Sequence, residues 1–510
     1  MLGNILNIRS GWRSPLLPLL LFLLTVAAYA SPGDLDLSFN STGFVTTAVT
    51  ASADEANAVA VQTDGKIVVA GYSANRTGFA LVRYTSSGAL DTTFGTGGIV
   101  TVSFAAAEVR SIAILADGKI VVGGYASSIN FSNRSFVVAR FTESGALDTT
   151  FGGGDGITTT SIGLRSEVFG ITVQPDGKII AAGSTASGGP DDFAVARYNS
   201  DGSLDTSFNS PTGYLTTNFG SSEEGTAVKL QNDGKIVVSG NSGAGNRVNV
   251  ARYNTDGSLD TTFDSDGKVS TVLLTNPRSM AIQSDGKIVV GGSDNDYCLV
   301  RYNSNGSLDS TFDTDGIVCT TVSNPSLLQG IAIDLSGKIL ATGFTIFGKN
   351  DQDIFLSRHL ADGSLDPAFD GGDGIVTTSL GTNGDRSFAI AVQSDGRIVL
   401  AGSLLDTNRD FAVARYQGAA PTAAPATLGG RLTDQSGNGI PHVGVVLSGG
   451  SLSQPLTAIT NSFGYFNFYD LQTGQTYIVT PDSGRYTFTP NSLVINFTEE
   501  FLAANFVGVE

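Results

Sequence analysis

The chain has 510 residues, including 64 glycines, with 15% charged residues and a formal net charge of −18. That length exceeds a usual single core, and the glycine-rich, charge-poor mix without a long amphipathic pattern excludes a helical bundle; it fits many short strands joined by tight turns. Such acidity repels phosphate backbones, so no nucleic-acid partner is expected, and solubility is the simplest use of the charge.

Taken in chain order, Arg9 and Arg13 precede an apolar run at 16–26, broken only by Pro18 and Thr25, and Ala28-Tyr29-Ala30 forms an A-x-A cleavage signal before Ser31. The run is short of the roughly 20 residues a membrane span needs. Residues 1–30 therefore read as a signal peptide cleaved near Ala30, and the mature chain as secreted, extracellular or periplasmic, with no membrane span. Cleavage also removes Trp12, the only tryptophan.

A repeat follows. The turn Asp-Gly-Lys begins at Asp64, Asp117, Asp176, Asp233 and Asp285, and recurs as Ser336-Gly337-Lys338 and Asp395-Gly396-Arg397. Spacings of 51 to 59 residues give each unit room for four strands. In the first unit these are 58–61, 66–70 ending at Gly71, 79–84, and 98–101 after a Gly-x-Leu-Asp-x-x-Phe segment. Asp-Gly between β-branched runs is a hairpin signal, because a primed turn needs positive φ. In the first strand, large residues such as Val59 and Val61 flank small ones such as Ala60, with Lys229 the one large exception. That alternation suits the innermost strand of converging sheets.

Leu-Asp-x-x-Phe also occurs seven times, at Asp36, Asp91, Asp148, Asp205, Asp260, Asp309 and Asp366, but out of phase with the turns. Residues 33–47 supply a segment and a strand with no preceding partner, and the last repeat stops after 411–416 without that same piece. An open stack would leave edges and need caps. The expected fold is therefore all-β: a seven-bladed β-propeller over 31–417, closed by the N-terminal strand.

These repeats, of the form A-I-A-V-Q-x-D-G-K-I-V-V-A-G…D-F-A-V-A-R-Y-N-x-D-G-S-L-D-T-x-F, resemble the delta-60 repeat family of bacterial β-propellers over residues 33–417. The resemblance implies a propeller and no particular activity. The strand order also resembles NHL-type propellers. The signature tryptophans of WD-repeat and quinoprotein propellers are missing, as is the S-x-D-x-G-x-T-W box of sialidases.

An arginine ends the third strand of every unit: Arg83, Arg140, Arg197, Arg252, Arg301, Arg358 and Arg415. One arginine and one Leu-Asp-x-x-Phe aspartate per blade predict a pinning ion pair, with Arg415 reaching Asp36 across the closure. Asp264-Ser265-Asp266-Gly267 and Asp313-Thr314-Asp315-Gly316 resemble calcium loops, but the further oxygens and closing Glu are absent. Asp264, Asp266, Asp313 and Asp315 are accordingly read as Asp-Gly turn residues first and as calcium ligands second. Just before the first strands stand Glu55, Glu108, Arg110, Glu167, Glu224, Arg278, Asp385 and Arg386, which would approach one mouth of the central channel. The loops after the second strands, such as 293–296 and 344–353, should lie on that face and vary most in length, so a ligand site is expected there.

His359 and His442 are the only histidines, and no nucleophile elbow, metal cluster or phosphate-cradling loop is present. Plentiful carboxylates leave glycosidase-type chemistry as the enzymatic alternative. Cys298 and Cys319 fall on consecutive strands of one blade. Two buried thiols are the default; if Tyr302 sits opposite Asp315, Cys298 faces Cys319 and a cross-strand disulfide is open to them.

Residues 418–427 read as an Ala/Pro linker, and 428–510 as a small Ig-like or prealbumin-like β-sandwich of short alternating strands. Gly430-x-x-x-Asp434, Thr460-x-x-x-Gly464-x-Phe466-x-Phe468 and Leu471-x-x-Gly474-x-x-Tyr477 make it resemble carboxypeptidase regulatory-like and SdrD B-like modules. That resemblance implies a non-catalytic stalk or adhesion module. Residues 419–510 contain no lysine, so a Lys–Asn isopeptide bond cannot form there, and no wall-sorting motif follows.

The sequence thus points to a monomeric, non-catalytic binding or surface-interaction protein with a protein or glycan ligand. The alternative is an extracellular carbohydrate-active enzyme or lectin using the mouth carboxylates. Deleting residues 31–48 should open the ring and abolish its cooperative melting transition, whereas deleting the C-terminal sandwich should leave that transition in place; calorimetry of the two truncations checks both.

Overall fold

Each unit folds into a four-stranded antiparallel sheet. After β1 (Phe44–Thr47), the first blade runs β2 (Glu55–Val61), β3 (Ile67–Ser73), β4 (Gly78–Tyr84) and β5 (Ile99–Ser103), hydrogen-bonded in that order. The computed structural model describes residues 31–510 except 128–133, 244–246, 274–275, 294, 324, 347–351, 382, 407, 419–425, 450–451, 453–454, 472–474 and 498–503; the expected signal peptide lies outside the described residues. Seven such sheets form the propeller, and among the described residues the only helical element is a 3-10 turn at Asp370–Gly372. Every residue of β3 and β4 is buried, because neighbouring blades cover both faces. Thus Val68, Leu81 and Phe94 of the first blade pack with Val109, Ile120 and Val137 of the second.

The seventh sheet is built from both ends of the ring. β1 (Phe44–Thr47) pairs antiparallel with Arg409–Tyr416, Phe44 opposite Ala414 and Thr47 opposite Phe411. Upstream of it, the Gly33 amide donates to the Gln417 carbonyl, and the Gln417 amide to that of Asp34, both at 2.8 Å. β1 thereby covers the outer edge of the Arg409–Tyr416 strand.

A belt of charge runs round the ring. The Nε of each third-strand arginine donates to its aspartate at 2.6–2.8 Å in all seven blades, Arg415 to Asp36 included. The guanidinium lies over the phenylalanine of the same Leu-Asp-x-x-Phe segment, 4.4–4.8 Å from the ring centroid. The basic residue of the Asp-Gly-Lys turn reaches the same carboxylate, from Lys338 at 2.7 Å to Lys66 at 3.5 Å, with Arg397 on Asp36 at 3.0 Å. Sequence reasoning missed this third member. Burial pushes the Asp91 carboxyl up, but the Thr93 hydroxyl and amide and the charges of Arg83 and Lys66 outweigh it and bring it down to about 2.

The same guanidinium ties one blade to the next. Arg83 donates to the Glu143 carbonyl at 2.5 Å and Arg301 to that of Ala361 at 2.6 Å; Arg140, Arg197, Arg252 and Arg415 reach Ser200, Thr255, Ser304 and Ser86. Arg358 departs from the pattern: its guanidinium reaches the Ala368 carbonyl within its own blade and faces Asp334 at 3.9 Å. Asp334 also accounts for the deviant turn at Ser336. Its carboxylate accepts from the Ser336 and Lys338 amides at 2.8 and 2.9 Å, a task the first turn gives to Asp64.

Cys298 lies opposite Cys319 on adjacent strands and the two form a disulfide, so the default of two thiols does not hold. The geometry allows it because their Cα atoms are 4.1 Å apart. Beyond the ring, two four-stranded sheets form a sandwich, one centred on Ala426–Asp434 and the other on Gly444–Gly449 and Gln475–Asp482. Its first strand starts at Ala426, inside the stretch expected as linker. Leu432, Val445, Leu447, Phe466, Tyr477 and Phe506 fill the space between the sheets.

Removing one partner of a buried ion pair typically costs about 3–5 kcal/mol. Asp36→Ala strips the carboxylate from Arg415 and Arg397 at the seam, so its melting temperature should fall well below that of Glu143→Ala, whose side chain is exposed; calorimetry of the two variants is the comparison.

Candidate functional site

The innermost strands carry one irregularity in every blade. The register of β2 on β3 shifts between Ala56 and Ala58, leaving Asn57 as an extra residue. Equivalent bulges isolate Arg110, Phe169, Thr226, Arg278, Gln329 and Phe388. These seven side chains form a ring around one narrow cavity on the propeller axis. The wider channel, about 200 Å³, is lined by the first strands of all seven blades and includes Lys229.

Two repeated small residues make the bulge fit. A Cβ on Gly71 would lie 1.8 Å from the Glu55 carbonyl oxygen, and every glycine at that place in the second strands meets the carbonyl two residues before the bulge at 1.8–2.3 Å. The residue after the bulge faces the neighbouring blade: a Cβ on Gly330 would meet Ile390 and Thr342 at 3.0 Å. Where it is serine, it bonds across, the Ile171 amide donating to Ser111 and the Ile331 amide to Ser279, both at 3.0 Å.

The structure divides the eight residues expected at the channel mouth. Arg110 and Arg278 belong to the bulge ring. Glu55, Glu108 and Glu167 stand two residues earlier and are buried. Arg409 pairs with Glu55 at 3.0 Å; Arg76 and Arg110 hold Glu108 at 3.0 and 3.2 Å; Arg134 holds Glu167 and stacks on Tyr125 at 4.2 Å. The Tyr125 hydroxyl donates to Glu108 at 3.1 Å, and burial together with that carboxylate pushes its pKa up to about 12. Glu224 is half-buried, with Asn241 at 3.4 Å. Asp385 is buried and accepts from the Leu380 and Gly381 amides, while Arg386 donates to Gln352 at 2.6 Å and lies over Phe344.

Within the ring, Asn57 donates to Glu108 and to the Val109 carbonyl, and Thr226 to the Pro277 carbonyl, so both are committed to the next blade. Arg110 lies over Phe169, 5.1 Å from its centroid. Among the described residues, the side chains of Arg278 and Lys229 make neither a hydrogen bond nor an ion pair, and both are exposed. Sequence reasoning named Arg110 and Arg278 but missed the other five ring members, because the bulge position has no common residue type. The recurrent second-strand glycine was the available signal.

Asp264 and Asp313 adopt positive φ in tight turns, and Asp266 and Asp315 accept from the Lys268 and Ile317 amides at 2.8 and 2.9 Å. Those carboxylates thus serve their own turns, and among the described residues no group of three or more metal-binding side chains converges. His359 occupies the place of the usual tyrosine. Its Nδ1 donates to the Gly363 carbonyl and its Nε2 accepts from the Tyr297 hydroxyl, each at 2.9 Å. Burial lowers its pKa, so it is a neutral member of the blade packing. His442 is exposed in the sandwich.

A family model described as "Domain of unknown function (DUF5122) beta-propeller" matches residues 62–94, 115–151, 174–208, 231–263, 283–312, 336–369 and 393–418. These are DUF5122 β-propeller repeats. Six matches run from just after an inner strand to the phenylalanine of Leu-Asp-x-x-Phe, and the seventh ends at Gly418 because its segment lies at 35–39; all seven omit the bulge ring. No curated protein matches the chain. Among solved structures, the WD40 β-propeller domain of Doa1 is similar at 13% identity and TM-score 0.44, over 74% of this chain and 97% of that one. The extracellular domain of a putative one-component system from B. thetaiotaomicron is similar at 9% identity and TM-score 0.40, over 94% of this chain and 60% of that one. PorZ, a bacterial surface component of the type-IX secretion system of Porphyromonas gingivalis, is similar at 12% identity and TM-score 0.41, over 92% and 60%. The chain thus spans only 60% of the last two, and at these values the likenesses carry no functional information. Among the described residues no helix is long and apolar enough to cross a membrane.

The unfolded chain protonates His359 near pH 6.5, whereas the folded blade holds it neutral. Its contribution is therefore fully present above that pH and declines as pH falls through it. His359→Tyr should flatten the fall in melting temperature between pH 7.5 and 5, while the loss below pH 4, set by aspartates such as Asp91, persists; a calorimetric pH series reads both.

Proposed function

We propose that the protein is a secreted, non-catalytic binding protein, its propeller presenting a rigid disc and its channel mouth receiving the ligand. The observation that carries this reading is the division of labour within each blade. Residues that hold the ring together repeat seven times, whereas the bulge residues facing the lumen are Asn, Arg, Phe, Thr, Arg, Gln and Phe. The lumen positions are thus released from the repeat's structural demand, and rigid scaffolds characteristically carry binding groups at such irregular positions.

On this reading residues 1–30 are an export signal, 31–417 a delta-60-like propeller, 418–427 a linker and 428–510 a carboxypeptidase regulatory-like or SdrD B-like spacer. The mature chain would act as a monomer on an extracellular or periplasmic protein or glycan. The engagement of Glu55, Glu108 and Glu167 in ion pairs supports binding over hydrolysis, which needs one carboxyl free to donate and another free to attack or activate water.

A glycan array combined with a hydrolysis screen tests this directly. Capture without turnover is expected. Turnover abolished by Glu224→Gln would overturn the reading in favour of a carbohydrate-active enzyme.

A further inference from the structure

Among the described residues, the charged side chains that line the axial channel of this acidic protein are all cations. Arg110, Arg278 and Lys229 line the lumen and no carboxylate does, although the chain carries a net charge of −18. Arg110 and Arg278 come from the second and fifth blades, nearly opposite one another, so their like charges meet across the constriction. Arg110 is partly compensated by Glu108 at 3.2 Å. Arg278 and Lys229 have no such contact among the described residues. Both side chains are exposed; Glu224 favours the charge of Arg278 and Arg110 opposes it. Lys229 stands where the other six blades place alanine or threonine, so blade packing does not require it.

The side chains of Arg278 and Lys229 are exposed within the lumen, so an anion entering it meets positive charge that no carboxylate of the lining offsets. Arg278 offers a planar fork suited to two oxygens, and Gln329 from the adjacent blade adds an amide to the same cavity. Phe169 and Phe388 complete the wall with flat apolar faces, which an inorganic ion would leave unused. A channel of about 200 Å³ has room for a small molecule and not for a polymer segment with its side groups.

We propose that the channel is a binding site for a small organic oxyanion, a carboxylate or phosphate on a flat apolar body, held by Arg278 and Lys229 and flanked by Phe169 and Phe388. This rests on the reading of the propeller as a binding protein and names the ligand class for its channel.

Isothermal titration calorimetry of the full mature chain tests it, with benzoate and phenyl phosphate as probes and benzyl alcohol and inorganic phosphate as controls. One saturable site for at least one aryl anion is expected, weakened tenfold or more by Arg278→Gln and by Lys229→Met, and weakened by raising salt from 50 to 500 mM. The tighter of the two probes identifies the oxyanion. Absence of saturable binding overturns the proposal. So does benzyl alcohol or inorganic phosphate binding as tightly, or an affinity that both substitutions leave unchanged while their melting temperatures match the parent. Glycan-array capture measured on the same Arg278→Gln variant separates the two levels. Capture that persists while aryl anions fail to bind the parent removes the channel site alone, whereas absence of both removes the binding reading itself.

Discussion

The guanidinium of the third-strand arginine is the contact on which the propeller depends. It meets a carboxylate through Nε, an aromatic face through its plane and, in six blades, a backbone carbonyl of the next blade. No lysine could do all three, because a compact ammonium lacks both the fork and the plane. Within a blade the arginine fixes the long connection between third and fourth strands. Between blades it sets how closely the next sheet approaches. A radial array of twisted sheets is otherwise held by apolar packing, which is non-directional; the belt supplies the angular definition.

Positioning at the rim has a consequence at the axis. With the outer spacing fixed, the inner strands must converge, and their packing sides are accordingly reduced to glycine, alanine or serine, as at Gly330 and Ser111. The bulge relieves the remaining crowding by turning one residue per strand into the lumen. Channel chemistry is thereby partly uncoupled from channel architecture: Asn57 and Thr226 bond to the next blade, whereas the Arg278 side chain makes no such bond among the described residues.

That uncoupling also sets what the sequence disclosed. Ring number, closure and the Arg415–Asp36 pair were legible because each depends on a residue type that recurs in phase. The Cys298–Cys319 bond depends on register and local geometry, so the sequence left it open beside two thiols. The channel ring was only partly legible: Arg110 and Arg278 were named for their charge, whereas Asn57 and Gln329 carry no common signature, and the glycine that marks their bulges acts on a carbonyl in a different strand. The expected mouth carboxylates illustrate the converse error. Glu55, Glu108 and Glu167 recur at one place, and charge near a channel suggests a ligand, but their partners Arg409, Arg76 and Arg134 come from third strands or the loops before them, where sequence spacing gives no cue.

The seam between Phe44 and Ala414 gives the molecule a direction in time. During synthesis the first strand made is among the last to find its partner, since its place is beside a strand that emerges only after six whole blades. Until then it is an unpaired edge, four residues long, with Thr46 and Thr47 at its end. Brevity and threonines make a poor template for a foreign strand. The strand that locks the ring is thus also built to wait.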